Sequence, residues 1–163
     1  MNLAYTFLIV LFTGSVSLHQ NKVSGTYSNA FGEKIIFYED STFKYTWNFD
    51  LMGSWTKGKW KVQDKKLLLE IIPIYDTLIY LDANQSLVRS LTLSDNEKPE
   101  MISAHDHLIH ILTSGGQNTY LPNNLFQIKG NRLIIIKNGR PEIQKVRSLT
   151  TDKYHTWFVK NEE

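Results

Sequence analysis

Apolar and polar residues alternate along Thr42 to Asp50, TFKYTWNFD. Phe43, Tyr45, Trp47 and Phe49 fall on one side, and Lys44, Thr46 and Asn48 on the other. A period of two sends successive side chains to opposite faces, so this stretch is expected to be a half-buried strand with its aromatic row turned inward. Just upstream, EKIIFYEDSTFKYTW reads as a hairpin around Asp40. A two-residue loop would set Tyr38 opposite Phe43. A three-residue loop, Glu39 to Ser41, sets Phe37 there instead and gathers Ile35, Phe37, Phe43 and Tyr45 on one face. The longer loop is the one expected, and it asks Ser41 for a left-handed backbone.

The same signals recur downstream. In SWTKGKWKVQDKKLLLEII, Gly58 interrupts a strand and suggests a bulge that lets both Trp55 and Trp60 find cover. Val62 and Leu67 flank a four-residue turn, Gln63 to Lys66, and Pro73 ends the run. LFQIKGNRLIIIKNG repeats the spacing: Trp60, Val62 and Leu67 to Leu69 correspond to Phe126, Ile128 and Leu133 to Ile135 at a constant offset of 66. Any good hairpin needs this pattern, so duplication does not follow from it. TLIYL and LVRSLTL read as strands, HLIHIL as another, and SDNEKPEM and TSGGQNTYLPNN as loops. GRPEIQKV turns back and KYHTWFVK closes the chain as a last strand. No stretch of ten or more residues outside the N-terminus shows helical periodicity. The expectation is an all-β fold, a single antiparallel barrel of about eight to ten short strands.

The N-terminus departs from this pattern. Leu3 to Phe12, LAYTFLIVLF, is an uncharged apolar run followed by Gly14, Ser15 and Ser17. An apolar segment of about ten residues before small ones suits a secretory signal, residues 1–17, rather than a membrane span of roughly twenty. The barrel domain is then residues 18–163, without a membrane span and exported to a periplasmic or extracellular space in soluble form. The chain has no cysteine, so no disulfide staples it and no lipidated cysteine tethers it. Its 163 residues suit one domain, and 42% hydrophobic against 21% charged residues can fill a core. A net charge of +2 gives no electrostatic case for nucleic acid or a membrane surface.

Candidate chemistry is sparse. On a strand, His105 and His107 of HDHLIH would share one face and His110 the other, so the three would not converge on a metal. There is no Gly-x-Ser-x-Gly and no cysteine nucleophile, and SGG at Ser114 to Gly116 lacks the lysine of a phosphate cradle. Neither a catalytic residue, a metal site nor a cofactor is expected. Lys57, Lys59 and Lys61 read as the wet side of a strand rather than an anion stripe. The aromatic row has two readings: a packed core, or the wall of a cavity such as closed barrels of about eight strands hold.

SGTY at Ser24 to Tyr27, IIFYEDSTFKYTW and GKWKVQDKKLLL together resemble the small exported lipocalin-like proteins of bacteria over residues 24 to 72. FQIKGNRLIIIKNGR and YHTWFVK are similar as well. Ser41 stands where that pattern has a turn glycine, and Tyr27 where lipocalins carry tryptophan. The resemblance implies a lipocalin-like β-barrel in an exported protein. The functional expectation is a non-enzymatic binding protein, with a small apolar ligand held against Phe43, Tyr45, Trp47 and Trp60. The alternative is a solid barrel whose loops, residues 95–107 and 114–124, bind another protein. A third is a metalloenzyme using the histidines.

Overall fold

The computed structural model describes residues 22–50, 52–112, 115–147 and 153–162. The expected signal segment, residues 1–17, lies outside them. Five strands form a meander: β1 (Gly25–Ser28), β2 (Glu33–Phe37), β3 (Thr42–Phe49), β4 (Met52–Gln63) and β5 (Lys66–Ile71). β9 (Leu125–Lys129) pairs with β5 and with β10 (Arg132–Lys137), and β14 (Phe158–Lys160) joins β10 to β1. The ring is therefore closed, an eight-stranded barrel in which every neighbouring pair is antiparallel. The all-β barrel expected from the alternation is what the chain forms. Closure leaves no free edge among those eight strands.

The hairpins follow the local chemistry. Phe37 pairs with Phe43, and Ser41 has φ 66°, as the three-residue loop demands. Asp40 Oδ1 accepts from the Thr42 amide at 2.9 Å and from its hydroxyl at 2.6 Å, which fixes the turn. Gln63 pairs with Lys66, and Asp64 and Lys65 both adopt positive φ, the turn that matches strand twist. Lys129 pairs with Arg132 across an equally short loop in which Gly130 alone takes positive φ, and the two hairpins spaced 66 residues apart are neighbours in the barrel wall, with Leu67 paired to Phe126.

The register sends one side chain in two to the interior. Tyr27, Ile35, Phe37, Phe43, Tyr45, Trp60, Leu67, Leu69, Phe126, Leu133, Ile135 and Phe158 form one buried cluster, joined by Val23 and Leu121 from outside the strands. Phe37 meets Tyr27 and Trp60 edge-on, at centroid distances of 5.5 and 5.6 Å. Such contacts add to the burial that makes aromatics dominate a core.

Four expectations need correction. There is no bulge at Gly58: β4 keeps an unbroken register with β3 on one side and β5 on the other. Glycine is needed there because a Cβ would stand 1.9 Å from the Glu70 carbonyl oxygen. Trp60 therefore faces inward and Trp55 outward, where other parts of the chain bury it. HLIHIL is not a strand but lies in a helix, α1 (Ala104–Leu112). Ser103 and Asp106 form a capping box, since the Ser103 hydroxyl accepts from the Asp106 amide and the Asp106 carboxylate accepts from the Ser103 amide, both at 3.2 Å. KYHTWFVK is two strands rather than one. β13 (Lys153–His155) pairs with β12 (Lys145–Arg147), and a bend at Thr156 and Trp157 separates it from β14. Lastly, the aromatic row of β3 is not wholly inward. β2 ends opposite Trp47, so the β3–β4 hairpin overhangs the barrel and leaves Phe49 61% exposed.

The chain between β5 and β9 leaves the barrel. β6 (Tyr75–Leu81) pairs antiparallel with β7 (Leu87–Leu93) and parallel with β8 (Met101–Ser103), forming a separate three-stranded sheet. This excursion is tied back at its root. The Gln117 side chain accepts from the Ile74 amide at 2.8 Å and donates to the Ile74 and Ser94 carbonyls at 2.8 and 3.2 Å. Gln117 itself bridges to Trp55, whose indole donates to the Asp95 carbonyl at 3.2 Å. β11 (Arg140–Pro141) adds a short outer partner to β10. Among the described residues, no helix is long and apolar enough to cross a membrane.

Candidate functional site

Strand direction separates the two ends of the barrel. The turns at 38–41, 64–65 and 130–131 lie at one end, with Lys22 to Gly25 and the end of β14. The turn at 29–32, the β3–β4 connection beside Asp50 and the root of the excursion lie at the other. At the first end the interior opens into a cleft of about 660 Å³. Its apolar surface comes from Val23, Val62 and Ile128, and its cations from Lys22, Lys65, Lys129 and Lys160. Among the described residues no carboxylate lines it.

Lys160 differs from the other three. Lys65 and Lys129 lie at hairpin turns, as β-turn chemistry places polar residues, and Lys22 is exposed. Lys160 instead pairs directly with inward-facing Tyr27, two residues after inward-facing Phe158, so its side chain sits on the lumen side of the strand. Its ammonium lies 5.8 Å from the centroid of the Tyr27 ring and donates to the Lys22 carbonyl at 3.3 Å. Gly25 makes room for it, because a Cβ there would stand 2.7 Å from Lys160 Cε. Among the described residues Lys160 has no ion-pair partner.

The four side chains expected to hold a ligand are placed elsewhere. Phe43, Tyr45 and Trp60 belong to the buried cluster, and Trp47 packs half-buried on its edge. Trp47 stacks on Phe49 at a centroid distance of 6.3 Å, at the end of the barrel opposite the cleft. The Tyr45 hydroxyl donates to Glu33 at 2.6 Å, and burial, with that bond and charge, holds its pKa far above the ordinary phenol value.

The histidines are redistributed by the helix. His107 and His110, three apart, share a face and are half-buried, while His105 is exposed. His110 Nδ1 lies 3.5 Å from Asp95 Oδ2, and no cluster of three metal-binding side chains occurs among the described residues. Of the lysine stripe, Lys57 is directly opposite Lys44, a like-charge pair that costs energy unless bridged. Glu97, from the loop after β7, bridges both, contacting Lys44 and lying 2.6 Å from Lys57, and these cations lower its pKa. Lys59 and Lys61 are exposed. Asp76, fully buried, accepts from the Glu100 amide at 2.8 Å, while its second oxygen has no hydrogen-bond partner among the described residues.

No family model, curated protein or solved structure matches the chain. The geometry of its own residues is therefore the ground for a functional reading.

Proposed function

We propose that the chain is a non-enzymatic binding protein, exported to a periplasmic or extracellular space, whose barrel mouth holds a small amphiphile. The apolar body rests on Val62, Ile128 and Val23, and an anionic head meets Lys160 with Lys22, Lys65 and Lys129 around it. The observation that carries the reading is Lys160. A lysine turned to the lumen of a barrel gives up part of its hydration and needs compensation. A tyrosine face and one carbonyl supply some of it, and the anionic head of a ligand supplies the rest. The cleft lies within the usual size range of small-molecule sites, about 300–1,000 Å³. The resemblance of residues 24 to 72 to exported lipocalin-like proteins agrees with this reading.

Thermal unfolding of the purified protein tests it, using dodecanoate, dodecanol and dodecylammonium as probes. Dodecanoate raises the Tm, dodecanol raises it less, and dodecylammonium leaves it unchanged. Lys160→Met keeps the Tm of the free protein and removes the advantage of the carboxylate over the alcohol. At one hundred times Kd, a native-state ligand adds about 2.7 kcal/mol, a shift of about 5–10 °C for a chain of this size. No shift with any of the three probes refutes the reading.

A further inference from the structure

The alternation in the excursion sheet runs opposite to that of a sheet showing water its polar side. The even-numbered positions include Asp76 and Ile102, both buried. The odd-numbered positions carry Tyr75, Leu81, Leu87, Leu91, Leu93 and Met101, which are 40 to 74% exposed. Register joins them into one surface: Tyr75 pairs with Leu93, Leu81 with Leu87, and Thr77 with both Leu91 and Met101. Arg89 is the single charged residue on that face.

A sheet exposed on one side ordinarily turns polar residues to water. Taking each of the six side chains at about 150–200 Å², their exposed fractions leave on the order of 600 Å² of apolar surface. That is at the upper limit for a monomer's largest patch and close to the roughly 800 Å² per partner of a standard interface. The edge is unguarded as well. Among the described residues β7 pairs only with β6, its seven residues keep an unbroken register, and it contains neither lysine nor proline.

We propose that this face is an isologous interface, at which two copies of the chain pack their excursion sheets together about a two-fold axis. Area is the first argument, since a second identical sheet supplies a matching cover of the size required. Two twisted sheets stack face to face about 10 Å apart, burying such side chains between them. Charge is the second. From residue 75 to 112, six carboxylates outnumber the two cations Arg89 and Lys98, a net of −4. None of those carboxylates is on the odd-numbered strand face, so two copies packed there bury no charge but Arg89, in keeping with the charge-poor core of an interface. The inference is independent of the barrel mouth, because none of these residues lines the cleft.

Light scattering on size-fractionated protein, over a dilution series of the full chain, reads the mass directly. The wild type runs at twice the chain mass and dissociates on dilution. Leu91→Lys, at an exposed position, runs at the single-chain mass with an unchanged circular dichroism spectrum. The chain has no cysteine, so one introduced thiol reports position. Leu91→Cys cross-links under mild oxidation, and Lys59→Cys, on the outer barrel wall, does not. A wild type that is a monomer at every concentration overturns the proposal, even if it floats with phosphatidylcholine vesicles. A dimer that survives Leu91→Lys, or that cross-links equally through Lys59→Cys, overturns the placement of the interface.

Discussion

Gly58→Ala adds one methyl group at the most crowded point of the barrel wall. The new Cβ would stand 1.9 Å from the Glu70 carbonyl oxygen and 2.9 Å from both the Glu70 carbonyl carbon and Phe43 Cε1. Relief requires a movement of more than 1 Å by order-of-magnitude reckoning, because such contacts settle only above about 3 Å. Neither neighbour yields readily. The Glu70 carbonyl is held in the β4–β5 ladder, where Lys59 pairs with Glu70 and Gly58 with Ile71, and Phe43 is buried in the core. Overpacking a close-packed site costs about 1–3 kcal/mol, and the stiffer unfolded chain of alanine returns about 0.4–1 kcal/mol. Because the clash is with backbone, the net loss belongs at the upper end, about 2–3 kcal/mol. Gly53→Ala in the same strand is the matched control. Its Cβ would meet Asn48 Oδ1 at 2.7 Å, the end of a side chain that can rotate away, so its effect stays within about 0.5 kcal/mol. Urea unfolding followed by tryptophan fluorescence measures both. With a slope near 2 kcal/mol per molar, Gly58→Ala lowers the midpoint by about 1–1.5 M and Gly53→Ala barely moves it. Equal midpoints for the two variants would refute the close-approach argument and reinstate a flexible bulge.

Two further predictions concern the tyrosine and the helix cap. Burial foremost, then the Glu33 hydrogen bond, raises the Tyr45 pKa, and burial raises that of Tyr27. Their stabilising contribution is complete below the unfolded phenol value of about 10 and is lost as pH rises above it, since only the unfolded chain ionises. Urea midpoints should fall above that pH, and Tyr45→Phe should fall less steeply while starting lower; identical slopes would contradict the assignment. Ser103→Ala removes the side-chain half of the capping box and should cost about 1 kcal/mol, concentrated in α1. Amide exchange at Asp106 to Leu112 should quicken while that of β4 holds, and a uniform change along the chain would assign Ser103 some other role.

Local pairing was legible from the sequence because it depends on neighbours. The Phe37–Phe43 register, the strained Ser41 and the two related hairpins follow from alternation and turn chemistry alone. Placement depends on distant strands, and there the sequence is silent. TLIYL and LVRSLTL are strands as their composition suggests, yet nothing local says that they leave the barrel. HLIHIL has an apolar run that fits a strand or a helix, and the arbiter was the Ser103-Ala104-His105-Asp106 capping pattern, which is visible in the sequence. Gly58 carried a correct signal with the wrong cause: close approach of a neighbouring backbone, not an extra residue. Lys160 escaped notice because its direction is set by pairing with Tyr27, far away along the chain. Its one local sign is that it repeats the parity of Phe158 at the end of a strand.

Barrel closure also sets an order of events. Ser28 donates to Asn161 at 2.8 Å across 133 residues of sequence, so β1 finds its second partner only once β14 is present. The β1–β5 meander consists of adjacent hairpins and can assemble early, whereas β14 joins two edges that no nearer segment completes. The excursion softens the delay, since its own hairpin and the Gln117 clamp draw the ends of a long connection together before β9 docks on β5. During synthesis the barrel therefore stays an open sheet with two reactive edges until β14 emerges. The last three-residue strand acts as the latch of the whole barrel.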